Sequence, residues 1–196
     1  MTPRRQVETI TAALTTPATS IEVALSRPGE GGLPSDPGFY AWWTRDRALL
    51  GTPAPPHPTQ DGWGLLYVGI APVRSSSKQR LRSRVAGNHL QGNTGASTFR
   101  LSLAALLLDE LDFRPFRKGA KVVLPASENR ALSTWQRANL RITWVVQREP
   151  WTYEPSVIDR LQPPLNLAGN TSHPFHQTMS EARAAFRAAA NNGTNR

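Results

Sequence analysis

Hydrophobic positions in this chain fall into short runs separated by Pro-, Gly- and Ser-rich stretches, and the spacing inside each run predicts its element. Val7, Ile10 and Leu14 recur at helical intervals in a weakly amphipathic stretch. A Thr/Pro-rich break and "SRPGEGGLPSDPG" follow, so residues 1–34 read as an N-terminal arm leading to a turn. "GFYAWWT", from Gly38 to Thr44, is aromatic and bounded by Pro37 and charged residues, as strands are. After the insertion "GTPAPPHPTQDGWG", "LLYVGIA" is a second strand, and consecutive strands most often pair; a long-looped antiparallel hairpin is expected.

Beyond the hairpin, "KQRLRSRVAGNHL" sets Leu81, Val85 and Leu90 near one face with basic residues on the rest, a basic helix. "TFRLSLAALLLDEL" is dense enough in apolar residues to be a buried helix with an acidic end. "KVVLP" reads as a short strand, and "SENRALSTWQRANL" as a helix with Ser127 as its cap. "RITWVVQ" has strand composition. "YEPSVIDRLQPPLN" puts Pro155 in a first helical turn and ends the helix at Pro163 and Pro164, and "SEARAAFRAAA" gives residues 171–196 a helical tail.

Composition narrows the picture. A length of 196 residues with 39% hydrophobic content suits one core with decorations rather than two domains. The net charge of +9 favours an anionic partner such as nucleic acid, but only Lys78, Lys118 and Lys121 are lysines, and so strong an arginine bias also follows from genome base composition. Distribution says more than the total. No acidic residue occurs between Asp61 and Asp109, while Arg74, Lys78, Arg80, Arg82, Arg84 and Arg100 all do. With no cysteine, disulfides, thiolate metal sites and a cysteine nucleophile are excluded. No signal-like apolar run or membrane-length segment is present, so a soluble cytoplasmic protein without a membrane partner is expected. There is no phosphate-cradling P-loop and no nucleophile elbow, and the histidine pair of "HPFH", His173 and His176, reads as a loop feature.

"GFY" on one strand, "YVG" on the next, an arginine-bearing helix, and a glutamate twelve residues before an asparagine together resemble the GIY-YIG nuclease superfamily. The resemblance spans residues 38–166. It implies an α+β fold: a three-stranded antiparallel sheet flanked by helices, with N- and C-terminal extensions around a nuclease domain at 35–170. It also implies that Tyr40 and Tyr67 face each other across the hairpin and line the catalytic surface, with Gly38 and Gly69 where the backbone turns or comes close to another group. Arg80, Arg82 and Arg84 compete for the family's catalytic arginine, and "RSRVAGNH" fits best through Arg84. The family histidine would be His89, although its gap of five residues from Arg84 is one longer than the common spacing. Glu154 matches the metal-binding glutamate and Asn166 the downstream asparagine.

The chemistry implied is phosphodiester hydrolysis in DNA, double-stranded by preference. Glu154 would hold Mg²⁺ or Mn²⁺, a hard cation satisfied by one carboxylate, waters and substrate phosphate. Arg84 would stabilise charge on the nonbridging oxygens, Tyr67 or Tyr40 would accept or relay the proton of water, and His89 would assist. Lys78, Arg80, Arg82, Arg100, Ser97 and Thr98 are the expected nucleic-acid contacts. A symmetric recognition site would call for a homodimer. The alternatives are a non-catalytic DNA-binding module on the same fold, or an RNA- or structure-specific nuclease.

Overall fold

The structure, a computed structural model, describes residues 2–45, 48–51, 54–168 and 170–192. The hairpin is formed by β2 (Gly38–Thr44) and β3 (Gly64–Ala71), which pair antiparallel. β6 (Leu140–Val146) lies antiparallel on the other side of β2, giving the expected three-stranded sheet, and two residues of β1 (Thr19–Ser20) extend it in the order β1-β6-β2-β3. "KVVLP" supplies β5 (Lys121–Val123), paired with β4 (Phe116–Lys118) in a separate hairpin.

Strand alternation splits the interior in two. Tyr40 and Trp42 enter a core with Leu81, Val85, Phe99, Leu103, Leu132 and Phe186. Phe39, Ala41 and Trp43 enter a second core with Ile10, Leu14, Val68 and Ile70. With both faces covered, β2 is buried along its whole length, which is why "GFYAWWT" carries no polar residue before Thr44.

α1 (Pro3–Leu14) covers the second face. Ile10 and Leu14 are fully buried, and the Leu14 carbonyl accepts the Thr143 hydroxyl of β6 at 2.6 Å. The segment expected as an arm is thus packed onto the sheet, together with β1 and the short α2 (Ile21–Leu25). On the first face lie a π-helix (Ser83–Gln91), α3 (Thr98–Leu106), α4 (Ala126–Asn139) and α6 (His176–Asn192). α5 (Glu154–Leu161) sends Val157 into the second core.

Two local expectations are corrected. α4 begins at Ala126 with Pro125 in the capping position, so Ser127 lies inside the helix and does not cap it. α3 stops at Leu106, before the acidic pair Asp109 and Glu110, because the chain tightens into turns that bring the Phe113 N–H to the Leu108 carbonyl with Asp112 at φ 47°.

Candidate active site

The β2–β3 register sets the two tyrosines. Trp42 pairs with Tyr67 and Trp43 with Leu65, which leaves Leu66 as the extra residue of a bulge. The bulge breaks alternation: Leu66 and Tyr67 both turn to the first core, while Leu65 and Val68 serve the second. Tyr40 pairs directly with Gly69, and its ring lies across that glycine. A Cβ on Gly69 would sit 2.3 Å from the Tyr40 Oη and 2.4 Å from Cζ. Gly69 is therefore an opening for a phenol rather than the point where the strand turns; β3 runs on to Ala71. Gly38 is likewise crowded, its absent Cβ falling 2.2 Å from the Val145 carbonyl oxygen. The two tyrosine rings lie 6.4 Å apart, centroid to centroid.

Behind Tyr40 stands a buried chain of hydrogen bonds. His89 Nε2 is 2.6 Å from the Tyr40 Oη, and His89 Nδ1 is 2.7 Å from the Ser97 Oγ. Ser97 is the N-cap of α3, its oxygen accepting the Arg100 backbone N–H at 3.1 Å. The neutral ring carries one proton, so His89 donates to one of these hydroxyls and accepts from the other, which ties Tyr40 to the start of α3. Burial, with Arg84 and Arg100 nearby, holds the His89 pKa well below the usual imidazole range, which keeps the ring neutral as this chain requires.

The spacing from Arg84 to His89 has a structural reason. In a π-helix the hydrogen bonds run from i to i+5, so the turn absorbs the extra residue and both side chains reach Tyr40. Burial pushes the Tyr40 hydroxyl far above the ordinary phenol range, Tyr67 adds to this, and Arg84 pulls the other way. Burial also raises Tyr67, opposed by Arg84, Thr98 and Arg183. Arg84 itself is disfavoured by burial but more than compensated by Tyr40, Tyr67 and Glu154, so it stays firmly cationic. Its Nη1 donates to the Gln79 Oε1 at 3.3 Å, while its buried Nε has no acceptor.

Glu154 opens α5 and lines a cavity of about 310 Å³ with Tyr67, Thr98, Asn166 and Arg183. Tyr40, fully buried, stands behind this cavity, and Tyr67 faces it. Burial raises the Glu154 pKa, with Arg84 opposing, yet the carboxylate forms no hydrogen bond or ion pair among the described residues. Asn166 lines the cavity, but its side-chain amide is bonded to the edge of β3. Its Oδ1 accepts the Val68 N–H at 2.9 Å and its Nδ2 donates to the Val68 carbonyl at 2.7 Å, while the Leu165 N–H donates to the Leu66 carbonyl at 3.0 Å. Residues 165–166 thus occupy the open edge of β3 on both sides of Tyr67 and fix its place.

Several expected nucleic-acid contacts are directed inward instead. Arg100 is fully buried: Nη1 donates to the His89 and Leu90 carbonyls, each at 3.0 Å, and to the Gln136 Oε1 at 2.7 Å. Nη2 donates to the Asn129 carbonyl and Oδ1, both at 2.8 Å. It supports the end of the π-helix rather than a phosphate, and burial lowers its pKa to about 10. Arg82 donates to the Ser26 and Leu25 carbonyls at 2.7 Å each, tying the π-helix to the end of α2. Ser97 is buried and committed to His89. Lys78 and Thr98 are exposed, and Arg80 is half-buried with its Nη1 on the Gln79 carbonyl. In "HPFH", His173 Nδ1 accepts the Phe175 N–H, a loop contact.

One cation at the cavity was not foreseen. Arg183 of α6 donates to the Ser102 Oγ and the Thr98 carbonyl, and its buried Nε has no acceptor. The signal in the sequence was Arg183 and Arg187 four residues apart on a helix whose Met179, Phe186 and Ala190 are buried.

As to metal binding, no cluster of three or more His, Cys, Asp or Glu side chains suited to a metal occurs among the described residues. The site fits a hard cation in another way. An unpartnered, half-buried carboxylate beside an open, water-accessible volume offers an oxygen ligand and leaves the remaining positions to water and a substrate oxygen. No helix among the described residues is long and apolar enough to cross a membrane. In comparison with known proteins, the family described as GIY-YIG catalytic domain matches residues 38–185, a span that takes in both tyrosines, the π-helix, Glu154 and Arg183. No curated protein and no solved structure matches the chain.

Proposed function

The chain belongs to the family of GIY-YIG catalytic domains, which are nucleases acting on nucleic acid, and from that premise we propose that it is a Mg²⁺- or Mn²⁺-dependent endonuclease that hydrolyses phosphodiester bonds in duplex DNA. One observation carries this reading. Glu154 and Arg84 line two cavities that meet at Thr98, and each favours the other's charged form, yet they form no ion pair and the Arg84 Nη2 carries no hydrogen bond among the described residues. The two opposite charges do not close on each other; each is left for a ligand, the carboxylate for a cation and the guanidinium for an anion.

Glu154 would hold the divalent ion through a carboxylate oxygen. When bound, the ion would supply Lewis-acid polarisation of a phosphoryl oxygen and neutralise developing charge. Arg84 and Arg183 take the nonbridging oxygens of the phosphate through the Nη groups that carry no hydrogen bond among the described residues, Nη2 of Arg84 and Nη1 of Arg183. Tyr67, facing the cavity, would orient the attacking water and, as the phenolate, accept its proton; Arg84 and Arg183 favour that phenolate while burial opposes it. Tyr40 holds Arg84 from behind, and the Ser97–His89 chain keeps Tyr40 in place.

The test is Glu154→Gln. Removing a half-buried, unpartnered charge does not lower stability, so unfolding by urea should be unchanged or slightly displaced upward, while Mg²⁺-dependent nicking of supercoiled plasmid falls by about 10³-fold or more. Wild-type nicking by the variant would refute the assignment. Wild-type protein that binds duplex but never nicks would favour the binding module, and preference for RNA or branched substrates would redirect the substrate class.

A further inference from the structure

The cavity at Glu154 does not end there. Thr98 and Arg183 stand at its edge, and Thr98 is also in the wall of a second cavity of about 360 Å³, lined by Arg84, Arg117, Lys121 and Arg187. Among the described residues no carboxylate lines this second cavity. None of the five cations along the two cavities is in an ion pair among the described residues, whereas Arg4, Arg27, Arg114 and Arg137 elsewhere each are. Arg183 and Arg187 repel one another on α6, a cost that an anion between them removes.

The walls are built rather than adventitious. The Arg117 Nε donates to the Asn191 Oδ1 at 2.7 Å, which ties the β4–β5 hairpin to α6. The Thr94 hydroxyl donates to the Val122 carbonyl at 3.1 Å, and the Lys121 stem passes 3.0 Å from where a Cβ on Gly95 would be. Lys121 is thereby laid along the groove floor, with its ammonium left to solvent.

We propose that the groove between α6 and the β4–β5 hairpin, floored by residues 94–98, is a binding track for the sugar–phosphate backbone that continues past the scissile phosphate, with Arg187 and Lys121 as its phosphate contacts. The proposal rests on the nuclease reading for the position of the scissile phosphate, but not for the existence of the track. It assigns the nucleic-acid contact to the C-terminal helix and the small hairpin, and not to Arg82 or Arg100.

Lys121→Ala/Arg187→Ala, both exposed positions, tests it in a Glu154→Gln background, where cleavage does not interfere with binding. The probe is a fluorescent 20-base-pair duplex, titrated by anisotropy at 50, 100 and 200 mM salt. Arg160→Ala serves as the control for loss of a cation away from the groove, because Arg160 is exposed beside Pro3, Arg4 and Tyr153. The double variant should bind about tenfold more weakly at 100 mM salt, and its log–log salt slope should be shallower by roughly 1.8, about 0.9 for each lost phosphate contact. Arg160→Ala should match the parent. Unchanged affinity and slope in the double variant, or an equal loss in Arg160→Ala, overturns the track. If the double variant loses binding while wild-type protein fails to nick with Mg²⁺, the track stands and the catalytic reading falls; if wild-type protein nicks and the double variant, in an otherwise wild-type chain, binds and nicks equally well, the reverse holds.

Discussion

Gly69→Ala sets two physical effects against each other. Within a strand, replacing Gly with Ala removes backbone entropy from the unfolded chain and is worth about 0.5–1 kcal/mol in favour of folding. At this position the new methyl would lie 2.3 Å from the Tyr40 Oη, 2.4 Å from Cζ and 2.7 Å from Cε2. Neither side yields easily, because β2 is paired on both edges and fully buried, and the Tyr40 ring is held by His89. Overpacking of this kind costs about 1–3 kcal/mol. Displacing the ring also breaks the 2.6 Å bond to His89 and leaves a buried imidazole nitrogen unpaired, about 1–3 kcal/mol more. Steric loss therefore exceeds the entropic gain, and a net destabilisation of about 2–4 kcal/mol is expected, with a fall in Tm of about 5–15 °C for a chain of this size. Urea unfolding measures it, and a cycle with Tyr40→Ala locates it: in the Tyr40→Ala background the Gly69→Ala change should cost less than about 1 kcal/mol, since the ring it meets is gone. Nicking activity should fall together with stability, because Tyr40 also holds Arg84. A Gly69→Ala protein at least as stable as wild type would refute the reasoning, as would the same cost in both backgrounds.

Arg100→Met takes a donor from the His89, Leu90 and Asn129 carbonyls, which leaves the one Ser133 hydroxyl to serve both Leu90 and Asn129, and should destabilise by about 2–4 kcal/mol, while duplex affinity of the folded fraction stays within about twofold; a selective loss of binding would return Arg100 to the phosphate contacts. His89 governs a pH dependence. Its folded pKa lies well below 6.5, so as pH falls through 6.5 the unfolded chain takes up a proton that the native state refuses, and stability declines by up to about 1.4 kcal/mol per pH unit until the lowered folded pKa is reached. His89→Gln removes this term, so the gap between the two proteins in urea unfolding at pH 7.5, 6.0 and 5.0 should narrow toward acid; parallel curves would refute the buried neutral imidazole.

The strands and their pairing were legible because the runs at 38–44 and 65–71 are long, aromatic and bounded by turn residues. Glu154 and the tyrosines were legible through their order along the chain. α1 looked like an arm because Ile10 and Leu14 make a weak stripe by themselves, and what gives the stripe its value is a second sheet face that local spacing does not reveal. The bulge at Leu66 was hidden for a similar reason: "LLYV" reads as simple alternation until β2 supplies the register that leaves one residue over. Arg183 lay in a tail whose docking against α3 is a tertiary fact, although the i, i+4 pair with Arg187 was available as a hint.

The arginines show most clearly what a sequence leaves open. "RLRSR" and the downstream "FR" present four basic residues in one field, and charge alone gives them one role. The structure separates them by the acceptors each can reach. Arg82 and Arg100 end among backbone carbonyls left over at helix ends, where the guanidinium's several donors satisfy groups that would otherwise be buried unpaired. Arg84 ends between two phenols and a carboxylate it does not bond, with a donor to spare. A guanidinium with both Nη groups bonded to the fold stiffens it, as in Arg82 and Arg100, and one with an Nη group left unbonded is available to a ligand. By that criterion Arg84 and Arg183 act together, each on one of the two cavities that meet at Thr98, though nearly a hundred residues separate them. Arg100→Lys should accordingly be tolerated poorly for stability, because an ammonium has too few donors and the wrong shape for the carbonyls it must reach. Arg84→Lys should fold normally and lose cleavage, because what it lacks is the fork presented to phosphate.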